Sequence, residues 1–224
     1  MIRINNLISW SAIIFLFASC NENDAKIRQE SDFLSDDKPI TDDCGYYIEK
    51  YKTDNFSAIY IYDAFSVDVV VADTCGLSIS GPRCYVENQN AYVMGNTLVV
   101  KFKDHDTHYR RTHIKISVPR LSDFEVMGAV YVTLDEKKVD ENYLYVEMNN
   151  VNRVDFTKPI VMDELTVNLK KVTSANVNLK CNHFYFSTQD VEKTILSGKT
   201  NVATLLCDRS EKVDDSNIMI RQRR

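Results

Sequence analysis

The segment Asp104-His105-Asp106-Thr107-His108-Tyr109-Arg110-Arg111-Thr112-His113 gathers three of the chain's 4 histidines beside two aspartates. Imidazole and carboxylate groups are ligands for zinc and other divalent ions, which makes His105, Asp106 and His108 the candidate metal ligands. Their spacing matches no established metal motif. A solvated hairpin loop, between a strand ending at Phe102 and one starting at Ile114, accounts for them more simply. Paired acids stand at Asp135-Glu136, Asp140-Glu141, Asp163-Glu164 and Asp214-Asp215. A glycosidase needs two carboxyls facing each other across a sugar. These pairs instead recur where turns are expected, and Asp155 is the one further acid considered for that chemistry. No Gly-rich phosphate loop, nucleophile elbow or His-Glu-x-x-His occurs, so neither a catalytic residue nor a cofactor is expected. The side chains best suited to grip a glycan or a protein are Tyr145, Asn168 and Tyr185, within a wider polar set that includes Glu147, Lys170, Asn176 and Ser187.

The cysteines allow several arrangements. Beyond Cys20 there are Cys44, Cys75, Cys84, Cys181 and Cys207. Cys75 and Cys84 flank a segment with the turn signal Gly81-Pro82, where a local bridge fits. Cys181 and Cys207 are placed to meet on neighbouring coils, as a bridge or as two buried thiols. An odd count leaves at least one free. A free buried cysteine behaves as a small hydrophobe, and that is the default expectation for all five.

Stepping outward from these residues, the N-terminus speaks to location. Arg3 precedes an apolar run from Leu7 to Phe17, broken only by Ser9 and Ser11, and Ala18-Ser19-Cys20 follows. The run is short of the roughly 20 residues that span a bilayer and reads as a cleaved secretory signal. With cysteine at the first mature position it resembles the bacterial lipoprotein signal. That resemblance implies lipid on Cys20, anchorage to the membrane through it, and residence in the cell envelope as an outer-membrane lipoprotein. Cys20-Asn21-Glu22-Asn23-Asp24 is similar to the export signals of some surface lipoproteins and implies surface display. Residues 1–19 are thus expected to be signal, and 20–50 a disordered, lipidated tether. The tether is rich in acids (Glu22, Asp24, Glu30, Asp32, Asp36, Asp37, Asp42, Asp43) and too poor in apolar residues to offset its ordering entropy. The net charge of −5 and pI of about 5.4 exclude a nucleic-acid partner.

Residues 51–220 carry the fold. Period-two alternation at Ile59-Ile61, Phe65-Val67-Val69-Val71, Leu98-Val100-Phe102 and Ile114-Ile116-Val118 predicts short strands over 51–120. From 121 to 220 one sparse pattern recurs, apolar-x-apolar-x-x-apolar-x-x-apolar-x-apolar. Its copies are Phe124-Val126-Ala129-Val132-Leu134, Val146-Met148-Val151-Val154-Phe156, Val167-Leu169-Val172-Ala175-Val177 and Phe186-Thr188-Val191-Thr194-Leu196. Successive copies start 22, 21 and 19 residues apart. Units of this size cannot bury their own apolar face and must stack. The x-x gaps argue against straight strands, and pairs such as Asn149-Asn150 and Lys170-Lys171 suit bends. The expectation is all-β with very little helix: a right-handed parallel β-helix-like solenoid of short coils.

Asp54-Asn55-Phe56-Ser57-Ala58-Ile59, Phe65-Ser66-Val67-Asp68-Val69-Val70-Val71, Asn96-Thr97-Leu98-Val99-Val100, Ile114-Lys115-Ile116-Ser117-Val118-Pro119-Arg120-Leu121 and Val126-Met127-Gly128-Ala129 follow one another in a familiar order. Together they resemble the auto-transporter adhesins with a head GIN domain. The resemblance covers about residues 51–220, although the usual Ser-Gly-Ala-Ser turn is here Met127-Gly128-Ala129-Val130. It implies a β-helix-like fold and brings no catalytic residues. The expected function is therefore a lipid-anchored envelope protein that binds a protein or glycan, and not an enzyme. The alternatives are a carbohydrate-processing enzyme, by analogy of fold alone, and a periplasmic structural or sensing module.

Overall fold

Each x-x gap in the repeat is a place where a straight strand would turn the next apolar side chain to the wrong face, because side chains alternate with period two. The chain keeps them all inward by bending. The computed structural model describes residues 44–103, 111–135 and 142–224. In it, Phe124, Val126, Ala129, Val132 and Leu134 of β7 (Asp123–Asp135) are all buried, as are Val146, Met148, Val151, Val154 and Phe156 of β8 (Tyr143–Phe156). They stand opposite one another residue for residue, Phe124 on Val146 through to Leu134 on Phe156, in parallel pairing. β9 (Ile160–Gln189) continues the stack, with Val146 on Val167 and Val151 on Val172. β10 (Lys193–Cys207) pairs parallel with β9, and β11 (Val213–Arg223) pairs parallel with β10. The inward residues of these passes join one apolar core with those of the first strands.

One corner is built alike in five adjacent passes, although not in the last, where Arg209 has φ of −135°. Asn150, Lys171 and Asp190 have φ of 57°, 52° and 54°. Each follows the second apolar residue of its copy by two positions, so they stack as a column. Asp63 and Gly128, with φ of 53° and 75°, extend it, since Tyr62 pairs with Met127 and Ala64 with Ala129. A left-handed residue turns the strand sharply within one position. Asn and Asp tolerate that geometry, while Lys171 adopts it without that help. At Gly128 a side chain would strike the carboxylate of Asp63.

β2 (Ala58–Val71) is a further copy of the pattern that the sequence reading passed over. Its inward residues Ile59, Ile61, Ala64, Val67 and Val69 are buried and lie in parallel register with Phe124, Val126, Ala129, Val132 and Leu134. The copy was hidden because β3 to β6 intervene between it and β7. On its other edge β2 receives two strands placed end to end. β5 (Thr97–Phe102) pairs with Ala58–Ile61 and β6 (His113–Val118) with Ser66–Val71, both in parallel. The connection from Phe102 to His113 is therefore not the hairpin expected, because the strands it joins run in the same direction.

The first strands also depart from an all-parallel stack. β4 (Gln89–Met94) lies antiparallel on β5, β3 (Gly76–Pro82) antiparallel on β6, and β1 (Tyr46–Tyr51) antiparallel on β3. The result is one open sheet of 11 strands, with β1 and β11 at its edges. Among the described residues, helix is confined to α1 (Arg83–Val86) and a 3-10 turn at Ser210–Lys212. Cys44–Arg224 forms one compact unit. Residues 46–50, assigned to the tether from sequence, belong to β1. Ordered structure begins earlier than composition suggested because Tyr47 and Tyr51 pack against the core.

The cysteine expectations need two corrections. Cys84 bridges Cys44 rather than Cys75, across a Cα–Cα distance of 5.9 Å. The antiparallel pairing of Tyr46 with Pro82 brings those two chain segments together. Cys181 and Cys207 do not meet. Cys181 stands opposite Thr200 and Cys207 opposite Thr188, at different positions around the pass. Both are free, as is Cys75.

Candidate functional site

The outward side chains that precede the left-handed corner form a ladder across the passes. Ser187 donates to Asn168 Oδ1 at 2.6 Å, Asn168 Nδ2 donates to the Tyr145 hydroxyl at 3.1 Å, and that hydroxyl donates to Glu147. Glu147 stands directly opposite Glu125 on β7, and Tyr60 of β2 donates to Glu125 Oε1 at 2.6 Å. Three adjacent passes are thus joined on their outer surface by side chains, and a separate bond joins β2 to β7. Two of the three expected binding residues, Tyr145 and Asn168, are brought into contact. Tyr185 lies on the same face, 41% exposed and opposite Thr204. It takes no part in the ladder.

The carboxylates of this face perturb one another. Burial raises the Glu125 carboxyl, and the charges of Glu147 and Asp123 add to that. The bond from Tyr60 works the other way, because it favours the ionised acid. In return Glu125 holds the Tyr60 phenol up to about 12, chiefly through that bond. Tyr145 is raised for the same reason by Glu147. The surface therefore offers phenol hydroxyls, an amide and carboxylates in fixed orientation. Such groups hydrogen-bond hydroxyl-rich or basic partners. Tyr60 and Glu125 were not singled out from sequence. The signal for them is the offset of 65 residues between β2 and β7, which places Tyr60 opposite Glu125.

The other sequence candidates disperse. Asp155 is ion-paired to Arg153 at 3.2 Å, and Asp135 to Lys158 at 2.7 Å. Asp163 accepts from Asn182 at 2.8 Å, Asp214 from the Ser216 N–H at 3.0 Å, and Asp215 pairs with Arg223. Each acid is engaged by its own neighbour rather than aimed across a cleft at a second acid. Glu136, Asp140 and Glu141 lie outside the described residues. So do His105, Asp106 and His108, and so does Cys20. Among the described residues no group of three His, Cys, Asp or Glu could hold a metal ion. His113 places Nδ1 2.6 Å from Ser66 Oγ and packs edge-on against Phe65. Burial pushes the Cys181 thiol up to about 11, so it stays protonated and is a poor nucleophile. Among the described residues no helix is long and apolar enough to cross a membrane.

Comparison with solved structures agrees with this architecture. A crystal structure described as a putative lipid binding protein from Parabacteroides distasonis superposes with a TM-score of 0.66 at 13% identity, covering 81% of this chain and 78% of that one. One described as a putative adhesin from Parabacteroides merdae gives 0.62 at 13% identity, covering 81% and 77%. A second described as a putative adhesin, from Parabacteroides distasonis, gives 0.61 at 13% identity over 81% and 77%. At this identity the likeness speaks to fold alone. No match was found among curated proteins. Residues 55–221 match the family model described as "Putative auto-transporter adhesin, head GIN domain", and with three-quarters of its length so matched the chain belongs to that family.

Proposed function

We propose that this protein is a lipid-anchored component of the bacterial cell envelope that displays a rigid β-solenoid for adhesive contact with a protein or a glycan. The observation that carries the reading is the outer ladder Ser187–Asn168–Tyr145–Glu147 with its neighbour Tyr60–Glu125. Its polar groups are orientated before any partner arrives, which lowers the ordering cost of binding. The passes, offset by 19 to 22 residues and bent at a shared corner, support a right-handed parallel solenoid that stacks each coil on its neighbours. Lipid on Cys20 anchors the chain, and the acidic segment after it spaces the solenoid from the membrane, facing outward. Asp135, Asp155, Asp163, Asp214 and Asp215 are each engaged by a neighbour, which favours a binder over an enzyme.

The test is a binding screen of the purified protein against matrix proteins and glycans, followed by Tyr145→Ala and Tyr185→Ala. A partner whose affinity falls about tenfold or more in either variant, the loss expected of an aromatic anchor, supports the reading. A screen in which no protein or glycan partner is weakened by either variant overturns it. Protease shaving of intact cells checks orientation: a surface protein is removed, whereas a periplasmic one survives.

A further inference from the structure

A second surface has the opposite chemistry. Lys180 and Lys199 lie beyond the left-handed corner of their passes, and not on the part of each pass that carries Tyr145 and Asn168. They stand directly opposite one another on adjacent strands, and Lys199 is in turn opposite Met219. Beside them runs a row of amides, in which Asn201 donates to Asn182 Oδ1 at 2.7 Å and Asn182 donates to Asp163. Arg221 follows on β11. These side chains, with the exposed Val161 and Met219, line a shallow trough of about 450 Å³ that runs across the strands.

Like charges held directly opposite on neighbouring strands cost stability. Lys180 and Lys199 hold that position, and neither they nor Arg221 are ion-paired among the described residues. In a chain of net charge −5, this concentration of unpaired cations calls for a bound anion. The cations do not converge on one point as they would around a single phosphate. They are spread along the stacking axis, one strand spacing of roughly 4.8 Å at a time. The Asn182 and Asn201 amides keep hydrogen-bonding capacity beside each charge, because each NH₂ has a second donor. Val161 and Met219 offer apolar patches at the two ends of the row. The interior behind the trough is filled by packed side chains such as Met162 and Leu179.

We infer that this trough binds an extended acidic polysaccharide, its carboxylates or sulfates on Lys180, Lys199 and Arg221 and its hydroxyls on Asn182 and Asn201. This deepens the binding function proposed above by giving one ligand class to a second surface, and it stands whether or not the Tyr145 face binds anything.

The experiment is titration of the purified protein with polygalacturonate, with its methyl ester as the uncharged counterpart and phosphatidylglycerol vesicles as the lipid counterpart. Polygalacturonate is expected to bind, more weakly as salt rises, and the ester at least tenfold more weakly. The double variant Lys180→Ala/Lys199→Ala is expected to lose at least tenfold in affinity while melting no lower than the wild type. Lys199→Arg is expected to retain binding, as is Tyr145→Ala. No binding of polygalacturonate, equal binding of its ester, unchanged affinity in the double variant, or tighter association with the vesicles than with the polysaccharide would each overturn the proposal. Loss of binding in Tyr145→Ala would move the site to the other face and overturn it as well, without touching the adhesive reading.

Discussion

At one edge of the sheet β1 lies antiparallel on β3 and a bridge from Cys44 to Cys84 ties the edge to the body. At the other, β11 runs parallel on β10, no further strand pairs with it among the described residues, and the Asp215–Arg223 pair links its two ends. The first edge is held by contacts distant in sequence, including a covalent one. The second is held by the nearest neighbour alone, as in any stacked repeat. An open strand edge invites unwanted pairing, and charged residues are the usual protection. Asp214, Asp215, Arg221 and Arg223 supply them on β11. The contrast teaches that order should fray from the β11 side while the β1 side depends on its cross-link.

The sharpest way to break this contrast is Gly198→Ala. Gly198 sits at φ 105°, and a Cβ there would collide with the backbone of Leu179 on the adjacent strand. A cost of about 4 kcal/mol or more is expected, from the strained φ and the clash together. Hydrogen exchange should show β10 and β11 losing protection while β2 and β7 keep theirs. A uniform loss over the whole sheet, or a cost below about 1 kcal/mol, would contradict the picture of a neighbour-held edge.

Next in size is a pair of core truncations. Ile59→Ala in the interrupted copy and Leu169→Ala in the regular ones should each cost about 2–5 kcal/mol in denaturant unfolding. Both residues are fully or almost fully buried, Ile59 at the first apolar position of its copy and Leu169 at the second. A cost for Ile59→Ala several-fold below that of Leu169→Ala would show that β2 is not an energetic equal of the later passes.

Removing the bridge by Cys44→Ser should cost about 2–4 kcal/mol, by the entropy of the loop it closes, and should expose β1 and β3 first. If β11 amides exchanged faster instead, the two edges would be coupled through the stack.

The smallest effect belongs to the passes between the edges. Folding raises the Tyr60 phenol to about 12 from its ordinary value near 10. The stability its bond to Glu125 contributes is complete below pH 10 and is lost as the pH rises from there to about 12. Tyr60→Phe should flatten that part of the pH–stability curve and, by removing a bond that favours the ionised acid, raise the Glu125 carboxyl further. An unaltered alkaline slope would mean that the bond is not maintained in solution.

Much of this was legible in the chain. Val146 to Leu196 announced stacked passes because apolar spacing follows directly from which side chains must face inward. Asn150 and Asp190 suited their left-handed corners by residue type, while Lys171 was marked only by its place in the pattern. The copy at Ile59 to Val69 was obscured by the strands inserted after it, since a period is visible only when its units are consecutive. The Cys44–Cys84 bridge was illegible because it rests on antiparallel pairing between distant segments. The trough was illegible for a related reason. Lys180, Lys199 and Arg221 are unremarkable singly, and they become a surface only once the offsets between passes are known.

The column of left-handed residues has a consequence for how such a chain changes over time. Every copy places its corner residue at the same distance from its flanking apolar positions, so none of the difference between spacings of 22, 21 and 19 arises there. All of it falls in the stretches from Leu134 to Val146, Phe156 to Val167 and Val177 to Phe186. One side of the molecule is thus a fixed seam against which successive turns are indexed, and the other is a margin where residues can be gained or lost. New sequence, and with it new specificity, has a built-in place to enter without disturbing the alignment of the repeated inward residues.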